Sequence, residues 1–133
     1  MNEKAVKIED SRDVVRARHE GREMARKLGF GPADQARLAT AISELTRNVI
    51  QYAGKGVCVI TDASEMGIAK IRVRVEDHGP GIADIDQAIE PGFSTGNGLG
   101  AGLPGTRKLV HEFRIDSKPG HTVVSIAIVR RRA

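Results

Sequence analysis

The segment at residues 77–105 reads DHGPGIADIDQAIEPGFSTGNGLGAGLPG. It holds eight of the fifteen glycines in the chain, at positions 79, 81, 92, 96, 98, 100, 102 and 105. Glycine permits unusual backbone dihedrals and lets a ligand approach the backbone closely. A flexible linker would carry Ser, Pro and Lys, whereas Phe93, Leu99 and Leu103 interrupt this segment. The composition therefore favours a loop that closes on a ligand over a linker.

Apolar periodicity on both sides of this segment indicates an α+β fold. Strands are predicted at residues 4–9, 57–61, 70–77, 113–117 and 122–129, and helices at 10–28, 32–53 and 103–112. In the last helix, Leu109 and Val110 are expected to point inward. The expected architecture is a two-layer α/β sandwich with its helices on one face of a mixed, mostly antiparallel sheet. A chain of 133 residues fits one domain, spanning 1–133.

The helix predicted at 32–53 has two distinct faces. Its apolar residues recur at steps of three and four, which predicts that they face the core: Leu38, Ile42, Leu45, Val49 and Tyr52. A polar stripe about a quarter turn away borders that core: Arg37, Glu44, Asn48 and Gln51. Polar groups at such a border can line a pocket.

Charge and aromatic content argue against nucleic acid as a partner. The net charge is +4, but aromatic residues make up only 3% and there is no Trp for stacking on bases. The basic run Arg130 to Arg132 fits a solvated terminal tail better than a docking site for an acidic partner.

The single cysteine and the hydropathy pattern bear on the cellular setting. Cys58 sits in an apolar run, so we expect a buried thiol and no disulfide within the chain, which fits a reducing cytoplasm. No apolar run approaches the length that spans a membrane, so we expect a soluble protein that is not exported and has no membrane partner.

Several short motifs match other activities without the structural setting those activities need. The run from Gly100 to Gly105 fits the dinucleotide fingerprint, but it follows a loop instead of a strand. The run from Gly92 to Gly96 fits the nucleophile elbow of a serine hydrolase, but Pro91 precedes it where a strand is required. The four histidines lack the spacing of a zinc site.

A second set of residues has the chemistry of a purine nucleotide site. Glu44 and Asn48 are four apart on one helix face, where an amide oxygen can bind Mg²⁺ and a carboxylate can accept a proton. Asp77 ends a strand before Gly79 and can accept a hydrogen bond from the exocyclic amine of adenine. The glycines from 98 to 102, just before a helix, can present N–H groups to phosphate. Taken singly, each feature would fit an exposed polar face or a plain turn; together and in this order they favour a site.

These motifs resemble the GHKL ATPase superfamily of gyrase, Hsp90, histidine kinases and MutL. Glu44-Leu-Thr-Arg-Asn48 resembles its N box, Asp77-His-Gly-Pro-Gly81 its first glycine box and Gly98-Leu-Gly-Ala-Gly102 its second. More closely, Ala41 to Asn48, Tyr52 to Gly56 and Gly92 to Gly105 resemble the RsbT-type switch-protein kinases of bacterial stress signalling. The resemblance implies the Bergerat (GHKL) fold and the use of ATP and Mg²⁺.

The resemblance also implies a role for each site residue. Glu44 would be the general base, Asn48 would hold Mg²⁺, and residues 90–102 would form a mobile lid over the phosphates. The nucleotide-binding residues would be Asn48, Asp77, Gly79, Gly81, Ile82, Gly98, Leu99, Gly100, Ala101, Gly102, Leu103 and Thr122. The chain departs from the family pattern at Pro119-Gly-His-Thr122, where Gly-x-Gly-Thr is usual, and at His111, where an acid is usual.

The family resemblance implies a protein serine/threonine kinase that phosphorylates a STAS-domain protein of the stressosome, like RsbS or RsbR, and then activates a PP2C-type phosphatase like RsbU. We expect no phosphoacceptor helix region or transducer domain, which argues against a histidine kinase, a gyrase or an Hsp90. Two alternatives stay open: an anti-sigma factor of the RsbW or SpoIIAB type, and a nucleotide-gated binding module with little catalysis.

Overall fold

The structure is a computed structural model and describes residues 2–79 and 102–132. Its elements, in chain order, are β1 (Glu3–Ile8), α1 (Ser11–Lys27), α2 (Pro32–Tyr52), β2 (Gly56–Asp62), β3 (Ile68–Asp77), α3 (Gly102–Leu109), β4 (Glu112–Lys118) and β5 (His121–Arg131). The five strands form one sheet in the order β1-β2-β3-β5-β4, and every neighbouring pair is antiparallel. The predicted two-layer α+β architecture is confirmed, without a parallel pairing among the described strands.

Helix α1 begins at a capping box, as the sequence indicates. The Asp10 carboxylate accepts a hydrogen bond from the N–H of Arg12, and the Asp13 carboxylate accepts one from the N–H of Asp10. The helix then packs closely on α2, because a Cβ at Gly21 would lie 2.3 Å from Cδ1 of Ile42. Glycine at position 21 therefore allows the two helices to approach.

Helix α2 begins with Pro32 in its first turn and buries four of the five predicted core positions: Leu38, Ile42, Leu45 and Val49. The prediction for Tyr52 is wrong, because 43% of this residue is exposed. Tyr52 is the last residue of the helix, where apolar periodicity did not predict exposure correctly.

The sheet buries one face against the helices. In β3, Ile71, Val73 and Val75 are buried while Arg72 and Arg74 are exposed on the opposite face. Their register partners in β5 are also buried, and these are Ile128, Ile126 and Val124. The prediction for Cys58 is confirmed: the residue is fully buried, and burial raises the pKa of its thiol to about 12.

Two boundaries near the C-terminal strands differ from prediction. Helix α3 ends at Leu109 instead of residue 112, because the N–H of His111 already bonds the Ala127 carbonyl (2.9 Å) and Glu112 pairs with Ala127. Leu109 and Val110 still pack against the core as predicted.

The arginine run is also not a solvated tail. Arg130 and Arg131 belong to β5 and pair with β3, and the N–H of Arg132 bonds the Gly67 carbonyl at 2.9 Å. Among the described helices, none is long and apolar enough to cross a membrane.

Candidate active site

The C-terminal half of α2 carries the first two site residues. Glu44 and Asn48 lie one turn apart on the same helix face, and both are half-buried. Their buried neighbours Ser43 and Thr46 are satisfied within the helix, because the two hydroxyls donate to the carbonyls of Ala39 and Ile42 (2.9 and 2.7 Å). The hydroxyls are therefore satisfied within α2, whereas Glu44 and Asn48 are half-buried polar groups whose side chains have no backbone partner in the helix.

The side chains of Glu44 and Asn48 differ in what they contact. Arg47 Nη1 lies 3.3 Å from Glu44 Oε1, and 21% of the glutamate side chain is exposed. The Asn48 side chain makes no hydrogen bond with any residue of 2–79 or 102–132. Its amide oxygen is thus available as a hard oxygen ligand, which suits Mg²⁺ completed by phosphates and waters.

Asp77 lies at the end of β3, opposite Gly56 of β2 and Thr122 of β5. Strand alternation places its side chain on the helix-facing side, together with that of Val75. The N–H of Gly79 donates to Asp77 Oδ1 (2.9 Å), which fixes the carboxylate. Within the described part of the chain, Oδ2 accepts no hydrogen bond, so it can receive the amine of adenine.

Two glycines bring this strand end against the end of α2. A Cβ at Gly79 would lie 2.6 Å from Cβ of Ala53, and a Cβ at Gly56 would lie 2.9 Å from Cγ1 of Val49. Because Asn48 precedes Val49, this packing brings the Asn48 end of α2 to the strand end that carries Asp77.

Thr122 is buried, and its hydroxyl shares a 2.7 Å hydrogen bond with Ser117 Oγ. Sequence reasoning missed Ser117. The register of the β4–β5 hairpin pairs Ser117 with Thr122, and Thr122 with Asp77 on the next strand, so three polar side chains form one row across the sheet. The symmetry of a hairpin about Pro119 and Gly120 would have identified Ser117.

Sequence reasoning also missed a cluster on the opposite face of the same strand end. The rings of His78 and His121 stack with centroids 5.1 Å apart, and His121 Nε2 bonds the Glu76 carboxylate. That hydrogen bond lowers the pKa of Glu76. The N–H of Gly120 donates to the Gly79 carbonyl (2.9 Å), so the turn between β4 and β5 supports the backbone that follows β3.

Helix α3 packs on α2, and Leu103 in its first turn lies half-buried against the hydrophobic core. Gly102 is the first residue of α3. The other glycine-box residues of the prediction, Gly81, Ile82, Gly98, Leu99, Gly100 and Ala101, lie outside the described residues, as does the rest of the lid at 90–102. The structure thus brings Asn48, Asp77, Gly79 and Thr122 to one end of the α2–sheet interface. Glu44 lies one turn before Asn48 in α2.

Known proteins are similar to this chain in sequence and in fold. Residues 33–132 match the family described as histidine kinase-, DNA gyrase B-, and HSP90-like ATPase. The chain is 50% identical to the serine/threonine-protein kinase RsbT of Bacillus subtilis (strain 168) over 121 residues, which cover 90% of this chain and 91% of RsbT. It is 32% identical to the anti-sigma F factor of Thermoanaerobacter sp. (strain X514) over 89 residues, covering 64% of this chain and 62% of that factor.

Solved structures support the fold. The RsbU and RsbW domains of Rv1364c from Mycobacterium tuberculosis match with a TM-score of 0.69 and 19% identity, over 98% of this chain and 33% of that chain. The catalytic domain of the histidine kinase ThkA matches with a TM-score of 0.58 and 20% identity, over 94% of this chain and 95% of that domain. By family match, sequence identity and fold, the chain belongs to the histidine kinase-, DNA gyrase B- and HSP90-like (GHKL) ATPases and, within them, to the RsbT-like serine/threonine-protein kinases.

Proposed function

We propose that this kinase transfers the γ-phosphoryl group of ATP to a serine or threonine of a STAS-domain stressosome protein, and that the released kinase then activates a PP2C-type phosphatase. The observation that carries the proposal is the joint placement of a half-buried carboxylate, an unengaged amide and an unsatisfied aspartate oxygen around one end of α2. The 50% identity to RsbT supports the choice of a kinase of this type.

The row of polar side chains across the strand ends, which includes Asp77 and Thr122, binds the adenine of the nucleotide. Asp77 Oδ2 accepts the adenine amine and Thr122 presents its hydroxyl beside it, while Gly79 lets the strand end pack against Ala53 of α2 and donates its N–H to Asp77 Oδ1. We further assign the phosphates to the glycine box at 98–102 and the start of α3. Asn48 would hold Mg²⁺, which neutralises phosphate charge when bound.

To Glu44 we assign the role of accepting the proton of the attacking hydroxyl. In the transfer, the bond from the acceptor oxygen to the γ-phosphorus forms, the bond from that phosphorus to the bridging oxygen of ADP breaks, and the proton moves to Glu44. The side chain of Arg47 holds the carboxylate from one side at 3.3 Å, so Glu44 has a defined orientation before the hydroxyl arrives.

The test is phosphoryl transfer from labelled ATP to a purified STAS-domain protein with Mg²⁺. Glu44→Gln should lower the transfer rate by about 10²- to 10⁴-fold, because it removes the base, and change ATP affinity by less than about threefold. Glu20→Gln, in α1, is the matched control and should transfer at the wild-type rate. Transfer by Glu44→Gln at the wild-type rate would remove Glu44 from this role.

An anti-sigma factor is the second candidate, since the chain is 32% identical to the anti-sigma F factor of Thermoanaerobacter sp. (strain X514). Binding assays with a sigma factor and with a PP2C-type phosphatase separate the two, because each function requires a different partner. Capture of the sigma factor alone would replace the switch-kinase proposal. Binding of ATP without transfer to any STAS protein would favour a nucleotide-gated module. For this kinase we also propose a cytoplasmic location, consistent with a single, buried cysteine that can form no disulfide within the chain.

A further inference from the structure

A groove of about 440 Å³ runs between the first half of α1 and the last part of α2. It is lined by Ser11, Val14, Val15, Arg18, Arg47, Ile50 and Gln51. The lining shows that the start of α1 lies beside the end of α2, and only residues 28–31 connect the two helices, so they are antiparallel neighbours. The groove is thus separate from the row of Asp77 and Thr122 but borders the helix face that carries Glu44.

The floor of the groove is apolar and partly open to solvent. Val14 is buried, Ile50 is half-buried against the core, and Val15 is 50% exposed. Val15 is one of only four large hydrophobic residues that are exposed among the residues described. The exposed Val15, beside Val14 and Ile50, offers apolar surface that a partner could bury.

The rim of the groove carries two arginines: Arg18 has no ion-pair partner in the described chain, and Arg47 pairs with Glu44 at 3.3 Å. Arg18 is half-buried, and Arg47 on the opposite rim is 57% exposed. The nearby carboxylates of Asp10 and Asp13 already pair with Arg12 and Arg16 at 3.1 and 3.0 Å. Two arginines facing an apolar floor complement an amphipathic segment with acidic residues along its apolar face.

The position of Arg47 indicates which partner protein would supply the acidic amphipathic segment. Arg47 lines the groove and also contacts Glu44, the residue that receives the proton in the proposed reaction. A protein docked here lies beside Glu44, and the protein that needs to be there while ATP is bound is the one that supplies the hydroxyl. We propose that the α1–α2 groove docks an acidic amphipathic segment of the STAS-domain substrate. This inference rests on the proposed function and names the surface through which the substrate binds.

The test is a binding titration of the purified STAS-domain protein against the full chain loaded with a non-hydrolysable ATP analogue. Arg18→Glu and Val15→Glu should each weaken binding by about 30-fold or more, because one reverses the rim charge and the other places a charge on the apolar floor. Arg18→Lys should keep binding within about fivefold of wild type, because it retains the charge. Far-UV circular dichroism of the three variants separates a loss of binding from a loss of folded protein.

Matched controls lie on other surfaces. Arg72→Glu reverses an exposed arginine on the open face of the sheet, and Met66→Glu places the same charge on the fully exposed Met66 in the β2–β3 turn. Both should bind the STAS protein as wild type does. If the controls lose as much affinity as the groove variants, net charge decides binding and the groove is not the docking surface.

The remaining outcomes are also decisive. The proposal is overturned if the wild type does not bind the STAS protein, if both groove variants bind it normally, or if they lose only the phosphatase. Phosphoryl transfer in the same preparations separates this inference from the proposed function. If the groove variants transfer phosphate at the wild-type rate with an unchanged KM for the STAS protein, the groove is not the docking surface, but the proposed kinase function stands. If binding depends on the groove but the wild type transfers no phosphate to the STAS protein, the docking surface stands and the proposed phosphoryl transfer to that protein is wrong.

Discussion

The end of β3 presents two unlike surfaces within three consecutive residues. On the helix-facing side, Asp77 stands in a row with Thr122 and Ser117, and one aspartate oxygen bonds no described residue. On the open side, Glu76, His78 and His121 bond or stack with one another or with the backbone. The side with an unused acceptor can bind a ligand, whereas the side whose groups are engaged can only brace the strand end.

This contrast shows how strand alternation separates binding from support. Neighbouring residues point to opposite faces, so the ligand-facing carboxylate and its bracing cluster can be adjacent in sequence without competing for the same partners. If the contrast is correct, substitutions on the helix-facing side should act on nucleotide affinity, and those on the open side should act on stability alone.

The largest expected effect is on the helix-facing side. Asp77→Asn should weaken ATP binding by about 100-fold, because the amide nitrogen would present a donor to the adenine amine. Asparagine can still accept the N–H of Gly79 through its oxygen, so the fold should be retained. ATP titration by calorimetry checks the affinity, with Asp116→Asn, an exposed residue of β4, as the control. Undiminished binding by Asp77→Asn would place the adenine elsewhere.

Gly79→Ala should affect both surfaces, because Gly79 joins the strand end to α2. The added methyl would lie 2.6 Å from Cβ of Ala53, so the free energy of unfolding should fall by about 1–3 kcal/mol. Urea denaturation measures the loss. The double variant Gly79→Ala/Ala53→Gly removes the methyl that clashes and should recover part of the stability. No recovery would show that the cost does not come from this contact.

Ser117→Ala should have a smaller effect, confined to nucleotide affinity. Removing the hydroxyl that bonds Thr122 frees the threonine to rotate, which should weaken ATP binding by about fivefold. Ser125→Ala, on the opposite face of β5, is the matched control and should bind ATP as wild type does. Equal affinities for the two variants would mean that Ser117 does not orient Thr122.

The smallest effect is expected on the open side and depends on pH. The hydrogen bond from His121 lowers the pKa of Glu76 below its usual value of 4.5, so the ionised form stabilises the fold at neutral pH. That contribution is lost as pH falls through the lowered pKa. Glu76→Gln should therefore be less stable than wild type by about 0.5 kcal/mol at neutral pH, and the difference should shrink as the pH falls below the usual glutamate range and through the lowered pKa. A change in ATP affinity beyond about twofold would break the distinction between the two sides.

Local patterns accounted for much of the fold and part of the site. The helix starts at Asp10 and Pro32, the alternation in β3 and the helix face shared by Glu44 and Asn48 all depend on residues close together in sequence. Tyr52 was wrongly predicted to be buried, because periodicity assigns a residue to a helix face but does not show how much of a large side chain at the helix end is covered. The prediction of a solvated tail was wrong, because Arg130 and Arg131 pair with β3 residues that lie about sixty positions earlier in the sequence.

The site residues that were not predicted were missed for the same reason, because pairing between distant strands brings them together. Ser117 and Thr122 meet through a hairpin, and His121 reaches Glu76 only because β5 pairs with β3 across 45 positions. A sequence pattern identifies which residues carry a chemistry, but strand register decides which of them touch. The His78–His121 stack therefore became visible only with the sheet order.

The burial of Cys58 has a practical consequence for following this protein in solution. It is the only cysteine in the chain, and its buried thiol, with a pKa of about 12, contributes almost no thiolate at neutral pH. The native chain should therefore resist maleimide and similar reagents while folded. A single cysteine introduced by Val15→Cys would then carry a fluorophore at one chosen place, and its emission would report what covers the α1–α2 groove without any need to remove the native thiol.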